Sequence, residues 1–208
     1  MLDPRNNSPF LRQPASVRSV MLRVLVALLP AIAVYVWFFG AAILVQIALA
    51  SLAALAGEAL ILQLREKPVW LFVADGSALV TAWLVALSLP PLAPWWMVVV
   101  ATLFAIVIVK HLYGGLGQNP FNPAMAAFCL MIVAYPQLMS QWPVAGHGAG
   151  FATQWQLIFG GGERLLDAVT MATALDTLRT GLHTAGSQAT VAGIFSSQPT
   201  FGLFGGRG

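Results

Sequence analysis

Five threonines, Thr170, Thr173, Thr177, Thr180 and Thr184, recur at alternating steps of three and four, a spacing that places their hydroxyls on one helical face. A hydroxyl is the least that a side chain needs to form a phosphoester, yet spacing alone reads the stripe as an ordinary polar helix face. Two carboxylates, Glu58 and Asp75, lie within or beside apolar segments, where an ionisable group is costly enough to be functional by default. A place on an ion path is one reading, and snorkelling or pairing with Arg65 or Lys67 is the other. Asn119 and Asn122 belong to a stretch of glycines and two Asn-Pro pairs at residues 114–123. Their amides suit hydrogen bonds to a bound ligand, or else capping of the next helix. His111, His147 and His183 are scattered without metal-ligand spacing, so no metal site is expected, and His111 is read as interfacial. Cys129 is the one cysteine. It forms no internal disulfide, and its apolar neighbours predict a small buried core residue.

The elements that position these groups must be membrane helices. Of the 208 residues, 59% are hydrophobic and only 8% charged, and the mean hydropathy is +0.81; soluble domains carry roughly 25% charged residues. Apolar runs at residues 20–39, 41–64, 69–89, 95–112 and 124–139 predict about five crossings of about 20 residues each. Gly40, the Arg65-Glu66-Lys67-Pro68 turn, Pro90, Pro91 and Pro94 punctuate them. The run at 69–89 contains Asp75, Gly76 and Ser77, and a broken or re-entrant helix is its alternative. Trp37, Trp70, Trp95, Trp96 and Trp142 fall near the ends of these runs, where indoles sit among headgroups. The sequence thus predicts an all-α integral membrane protein, with a helical bundle over residues 1–140 and a polar loop segment over 141–208. The latter carries one helix at about 163–184.

Charge sets the orientation. The formal net charge is +3, but the cations flank hydrophobic segments instead of forming a basic face, which speaks for topology and against a nucleic-acid partner. Arg5, Arg12, Arg18 and Arg23 precede or open the first run, which is long enough to be a retained helix and not a signal peptide. Arg65 and Lys67 follow the second and Lys110 ends the fourth, while the turns at Gly40 and at residues 90–94 have no Lys or Arg. Short-loop cations stay inside, so the N-terminus is expected in the cytoplasm and residues after about 140 in the periplasm of a bacterial inner membrane.

The segment Asp167-Ala168-Val169-Thr170-Met171-Ala172-Thr173, with residues 75–91 and 113–125, resembles the RnfD family, membrane subunits of the bacterial Rnf ion-translocating electron transport complex. That family also takes in the corresponding membrane subunit of the sodium-translocating NADH:quinone reductase. The resemblance spans essentially the whole chain, and Met171, where the reductase branch often has Gly, favours the Rnf branch. It implies an FMN joined through its phosphate to Thr173, the last residue of a Ser/Thr-x-Ala-Thr motif, with Asp167, Thr170 and Ala172 completing the motif. It also implies a relay between ferredoxin and NADH coupled to movement of sodium ions or protons, not an independent enzyme. Other membrane and peripheral subunits, a flavin transferase, membrane lipid and a second, non-covalent flavin are the partners and cofactors it brings with it. Family members continue with further helices, so this chain is expected to correspond to the first half of a two-repeat fold. A urea-transporter-like small-solute channel and a structural scaffold with a vestigial flavin site are the alternatives.

Overall fold

The computed structural model describes residues 16–113, 117–143, 150–160 and 179–180. Its first helix, α1 (Val17–Phe39), opens on Ser16, whose side chain accepts a hydrogen bond from the Ser19 N–H, and ends at Gly40 with φ of +86°. That left-handed conformation suits glycine and lets the chain reverse at once. The next helix, α2 (Ala42–Leu64), has 23 residues, about 35 Å at 1.5 Å per residue, enough to cross a hydrocarbon core of about 30 Å.

Helix α2 is the hub. Its buried residues include Ile43, Gln46, Ile47, Ala50, Ala54, Gly57 and Glu58, steps of three and four that keep one broad face against α4 (Ser77–Ser88) and α5 (Trp95–Leu103). The opposing faces are also built from small side chains, Ala78, Ala82 and Ala86 on α4, Ala101 on α5 and Ala105 just beyond it, while Ala124 and Ala127 line the buried side of α6 (Pro123–Ala134), which packs on α4 and α5. Between membrane helices there is little hydrophobic drive, so association depends on close van der Waals approach, which small residues permit. Gly57 marks a close approach, since a Cβ there would lie 3.0 Å from Leu103 Cδ2.

After α2 the turn closes by hydrogen bonds from Lys67 N to Leu62 O at 2.9 Å and from Glu66 N to Gln63 O at 3.0 Å, a Schellman motif. Its left-handed residue is Glu66, φ +54°, in place of the usual glycine. The run at residues 69–89 is broken, as its Asp-Gly pair allowed: α3 (Val69–Val73) stops before Asp75, and α4 (Ser77–Ser88) starts after Gly76, φ +78°. Helix α5 (Trp95–Leu103) continues into a π-helical segment, Phe104–Leu112. The last predicted crossing is also divided, into α6 (Pro123–Ala134) and α7 (Pro136–Met139), because Pro136 cannot continue the hydrogen-bond ladder of α6. Among the described residues, three helical stretches are therefore long and apolar enough to cross a membrane: α1, α2 and Trp95–Leu112. Helices α4 and α6 have 12 residues each, about 18 Å.

Two sequence expectations are corrected. Cys129 is exposed, because the buried positions of α6 are Ala124, Ala127 and Met131 and Cys129 faces away from that stripe. The stretch before residue 163, read as loop, holds a helix, α8 (Phe151–Phe159). Gln154, Leu157 and Ile158 form its buried side, and Phe151, Trp155 and Phe159 stack along the other, with centroids 6.1 and 4.5 Å apart. The aromatic step of four is a helical signal that the polar composition around it hid. Large apolar side chains cover the exterior, and Trp37, Trp70, Trp95 and Trp142 are exposed near helix ends, as lipid and headgroup contact require.

Candidate functional site

The described bundle buries few charged side chains, and they converge. Glu58, on the last third of α2, is 1% exposed; Lys110 and His111, on the π-helical segment, are 3% and 6% exposed. Lys110 Nζ donates to Glu58 Oε1 at 2.6 Å and to Ser77 Oγ, at the start of α4, at 2.8 Å. His111 Nε2 stands 3.7 Å from the same Glu58 oxygen. An acid and a base from different helices thus neutralise each other at depth, as intramembrane charges do when they persist. Removing one partner of such a pair leaves an uncompensated charge, at a cost of about 3–5 kcal/mol.

The helix geometry explains why two consecutive residues can both serve. In α2 the buried positions step by three and four, whereas in the π-helical segment Ala105, Ile106, Val109, Lys110 and His111 are buried, so the repeat runs at four and five. The i→i+5 winding is wider than an α-helix and turns less per residue, which lets Lys110 and His111 share a face. Asp75 fixes the third element, its Oδ1 accepting from the Ser77 N–H at 2.7 Å, a carboxylate at a helix N-terminus where dipole and hydrogen bond both favour it.

Beside this cluster lies a cavity of about 370 Å³, whose walls include Glu58, Lys110, His111, Asp75, Arg65 and Lys67 with apolar Val17, Leu62, Leu71 and Phe72. The expected pairing of Glu58 with Arg65 or Lys67 is replaced by Lys110, although both cations reach the same cavity. Lys110, which the sequence presents as a topology marker, and His111, which it presents as interfacial, are instead buried site residues. The overlooked signal was the coincidence of one acid and one base in two otherwise apolar helices.

Of the other expected site residues, Asn122 caps α6, its Oδ1 accepting from the Ala124 N–H at 3.0 Å, and Asn119 is half-buried in the preceding loop. Asp167, Thr170, Ala172 and Thr173 lie outside the described residues, as do His147 and His183. Among the described residues no group of three His, Cys, Asp or Glu side chains could hold a metal ion.

The opposite end is held by neutral amides. Gln154 of α8 accepts the Ala42 N–H at 2.9 Å and donates to Phe39 O at 3.3 Å, joining the end of α1 to the start of α2. A side chain at Gly40 would overlap the Gln154 amide. Gln46 donates to Ala93 O at 2.6 Å and Pro91 O at 3.3 Å, tying α2 to the turn before α5, and Leu157 and Ile158 pack with Ala42 and Leu92 beneath.

Residues 5–206 match the family described as NQR2, RnfD, RnfE. Among curated relatives, the D subunit of the ion-translocating oxidoreductase complex of Escherichia fergusonii is 45% identical over 195 residues, 87% of this chain and 55% of that protein. The protein of the same name from Aeromonas hydrophila is 44% identical over 216 residues, 97% of this chain and 61% of the relative. That from Pseudomonas paraeruginosa is 45% identical over 205 residues, 99% and 58%. The chain spans between 55% and 61% of the length of these relatives.

Proposed function

Because this chain belongs to the NQR2, RnfD, RnfE family, we propose that it works as a membrane subunit of an ion-translocating oxidoreductase complex of the Rnf type and carries FMN as a phosphoester of Thr173. The observation that carries this reading is the extent of the family match, residues 5–206, which takes in the whole segment from Asp167 to Thr173. A threonine hydroxyl is chemically sufficient for the ester, and Ala172 leaves clearance for a flavin transferase, whose substrate is the local motif. When bound, FMN supplies one- and two-electron redox chemistry, while the protein sets its position and surroundings.

The chain's own contribution is placement. Gln154 and the Leu157–Ile158 pair seat α8 on the end of the bundle formed by Gly40 and residues 90–94, and the attachment motif follows α8 in sequence. The end bearing Arg65 and Lys67 faces the cytoplasm, and α8 lies on the periplasmic side. A covalent link keeps the cofactor from diffusing away there. Other membrane and peripheral subunits of the complex supply and accept the electrons.

Thr173→Val removes the hydroxyl at nearly constant volume. After co-expression with the transferase, the parent chain should give flavin fluorescence on a denaturing gel and Thr173→Val none, with Thr177→Val and Thr180→Val still labelled. Flavin mass on the peptide spanning residues 165–179 in Thr173→Val would refute the attachment.

A further inference from the structure

The cavity at the basic end has an unsatisfied floor. Glu58 Oε2 and His111 Nε2 are buried there with no hydrogen-bond partner, although buried polar atoms are nearly always paired. A carboxylate oxygen only accepts, so Oε2 calls for a ligand that donates. A metal cation is a poor candidate, because the Lys110 ammonium stands 2.6 Å from the same carboxylate and Arg65 and Lys67 line the wall. Three fixed cations, Lys110, Arg65 and Lys67, outnumber the two carboxylates, Glu58 and Asp75. The site therefore favours one negative charge. Its remaining wall is apolar, formed by Val17, Leu62, Leu71 and Phe72, and α3 also presents Trp70 and Leu71 at 83% and 69% exposure.

An anion, a hydroxyl donor and an apolar body together describe one class of molecule. The geometry points to a binding site for phosphatidylglycerol, with its phosphodiester at Arg65 and Lys67, a headgroup hydroxyl toward Glu58 Oε2 and His111 Nε2, and acyl chain along Leu71 and Phe72. Basic pockets between membrane helices recognise anionic headgroups in this way. The Schellman turn with Glu66 in the left-handed conformation sets the backbone of Arg65 and Lys67, both on the cavity wall. The site does not depend on the flavin reading.

Native mass spectrometry of the purified full chain in detergent tests it, with dioleoyl phosphatidylglycerol, phosphatidylcholine and phosphatidylethanol as competing probes. Phosphatidylethanol has the same phosphodiester charge but no headgroup hydroxyl. Phosphatidylglycerol should be retained over phosphatidylcholine by about 30-fold, the effect of two cations on one anionic headgroup, and also over phosphatidylethanol. The Arg65→Gln/Lys67→Gln variant changes only exposed side chains, keeps the fold, and should lose the first preference. Equal retention of phosphatidylglycerol and phosphatidylcholine, unaltered preference in the double variant, or equal retention of phosphatidylglycerol and phosphatidylethanol would each overturn the assignment. So would sn-glycerol 3-phosphate displacing the bound lipid at equal concentration, since the acyl wall would then contribute nothing.

Discussion

At the Gly40 end of the bundle Gln46 and Gln154 tie chain ends with neutral amides, while at the Glu58 end the ties are ionic and pass between side chains of three different elements. The amides meet backbone groups that a helix end or tight turn leaves open, so they complete the fold locally. The ionic cluster satisfies no helix end except through Asp75, and it leaves two polar atoms open beside a cavity. The amide end also keeps one buried oxygen without a partner, Gln46 Oε1, but its ties are made within the chain; the ionic end lies beside the cavity proposed to take a further molecule.

The strongest way to break this contrast is Lys110→Met, which strands Glu58 and should destabilise the protein by about 3–5 kcal/mol. Pairing it with Glu58→Leu should recover most of that loss, because an apolar pair of similar volume substitutes well for a buried ion pair. Thermal unfolding in detergent of both single variants and the double reads the coupling directly; additive losses would show that the two charges do not act as a pair. A smaller effect is expected from Gln154→Leu, which leaves the buried Ala42 N–H unsatisfied at about 1–3 kcal/mol. Protease cleavage near residue 150 should rise in parallel, and unchanged cleavage would mean that α8 is seated without the glutamine. Asp75→Ala should be mildest, about 1 kcal/mol for a lost cap, with hydrogen exchange quickening at Ser77 and its neighbours before the rest of α4.

Much of the fold was legible because its signals are local. Helices α1 and α2 are unbroken apolar runs ended by Gly40 and by the Arg65-to-Pro68 turn, and the Asp75–Gly76 break announces itself by residue type. Helix α8 was missed because Gly and Gln around it read as loop, though Phe151, Trp155 and Phe159 kept helical step. The ion pair could not be read from either residue alone. It joins positions 52 apart in the chain, and the winding that turns Lys110 and His111 to one face has no local code in a run of Ala, Ile, Val and Phe. The Thr173 motif carries meaning only through family resemblance, since as a pattern it is one part of a threonine stripe.

The wide winding of Phe104–Leu112 also bears on how this chain can change in length. A π-turn is an α-turn with a residue to spare, so surplus sequence is stored inside a helix instead of in a loop. A one-residue deletion between Phe104 and Val109 rewinds the segment toward α geometry and leaves Lys110 turned toward Glu58. The same deletion within α2 would swing Glu58 by about 100° and out of reach. A one-residue gap within the apolar part of this chain is therefore best tolerated at the segment that carries its buried cation.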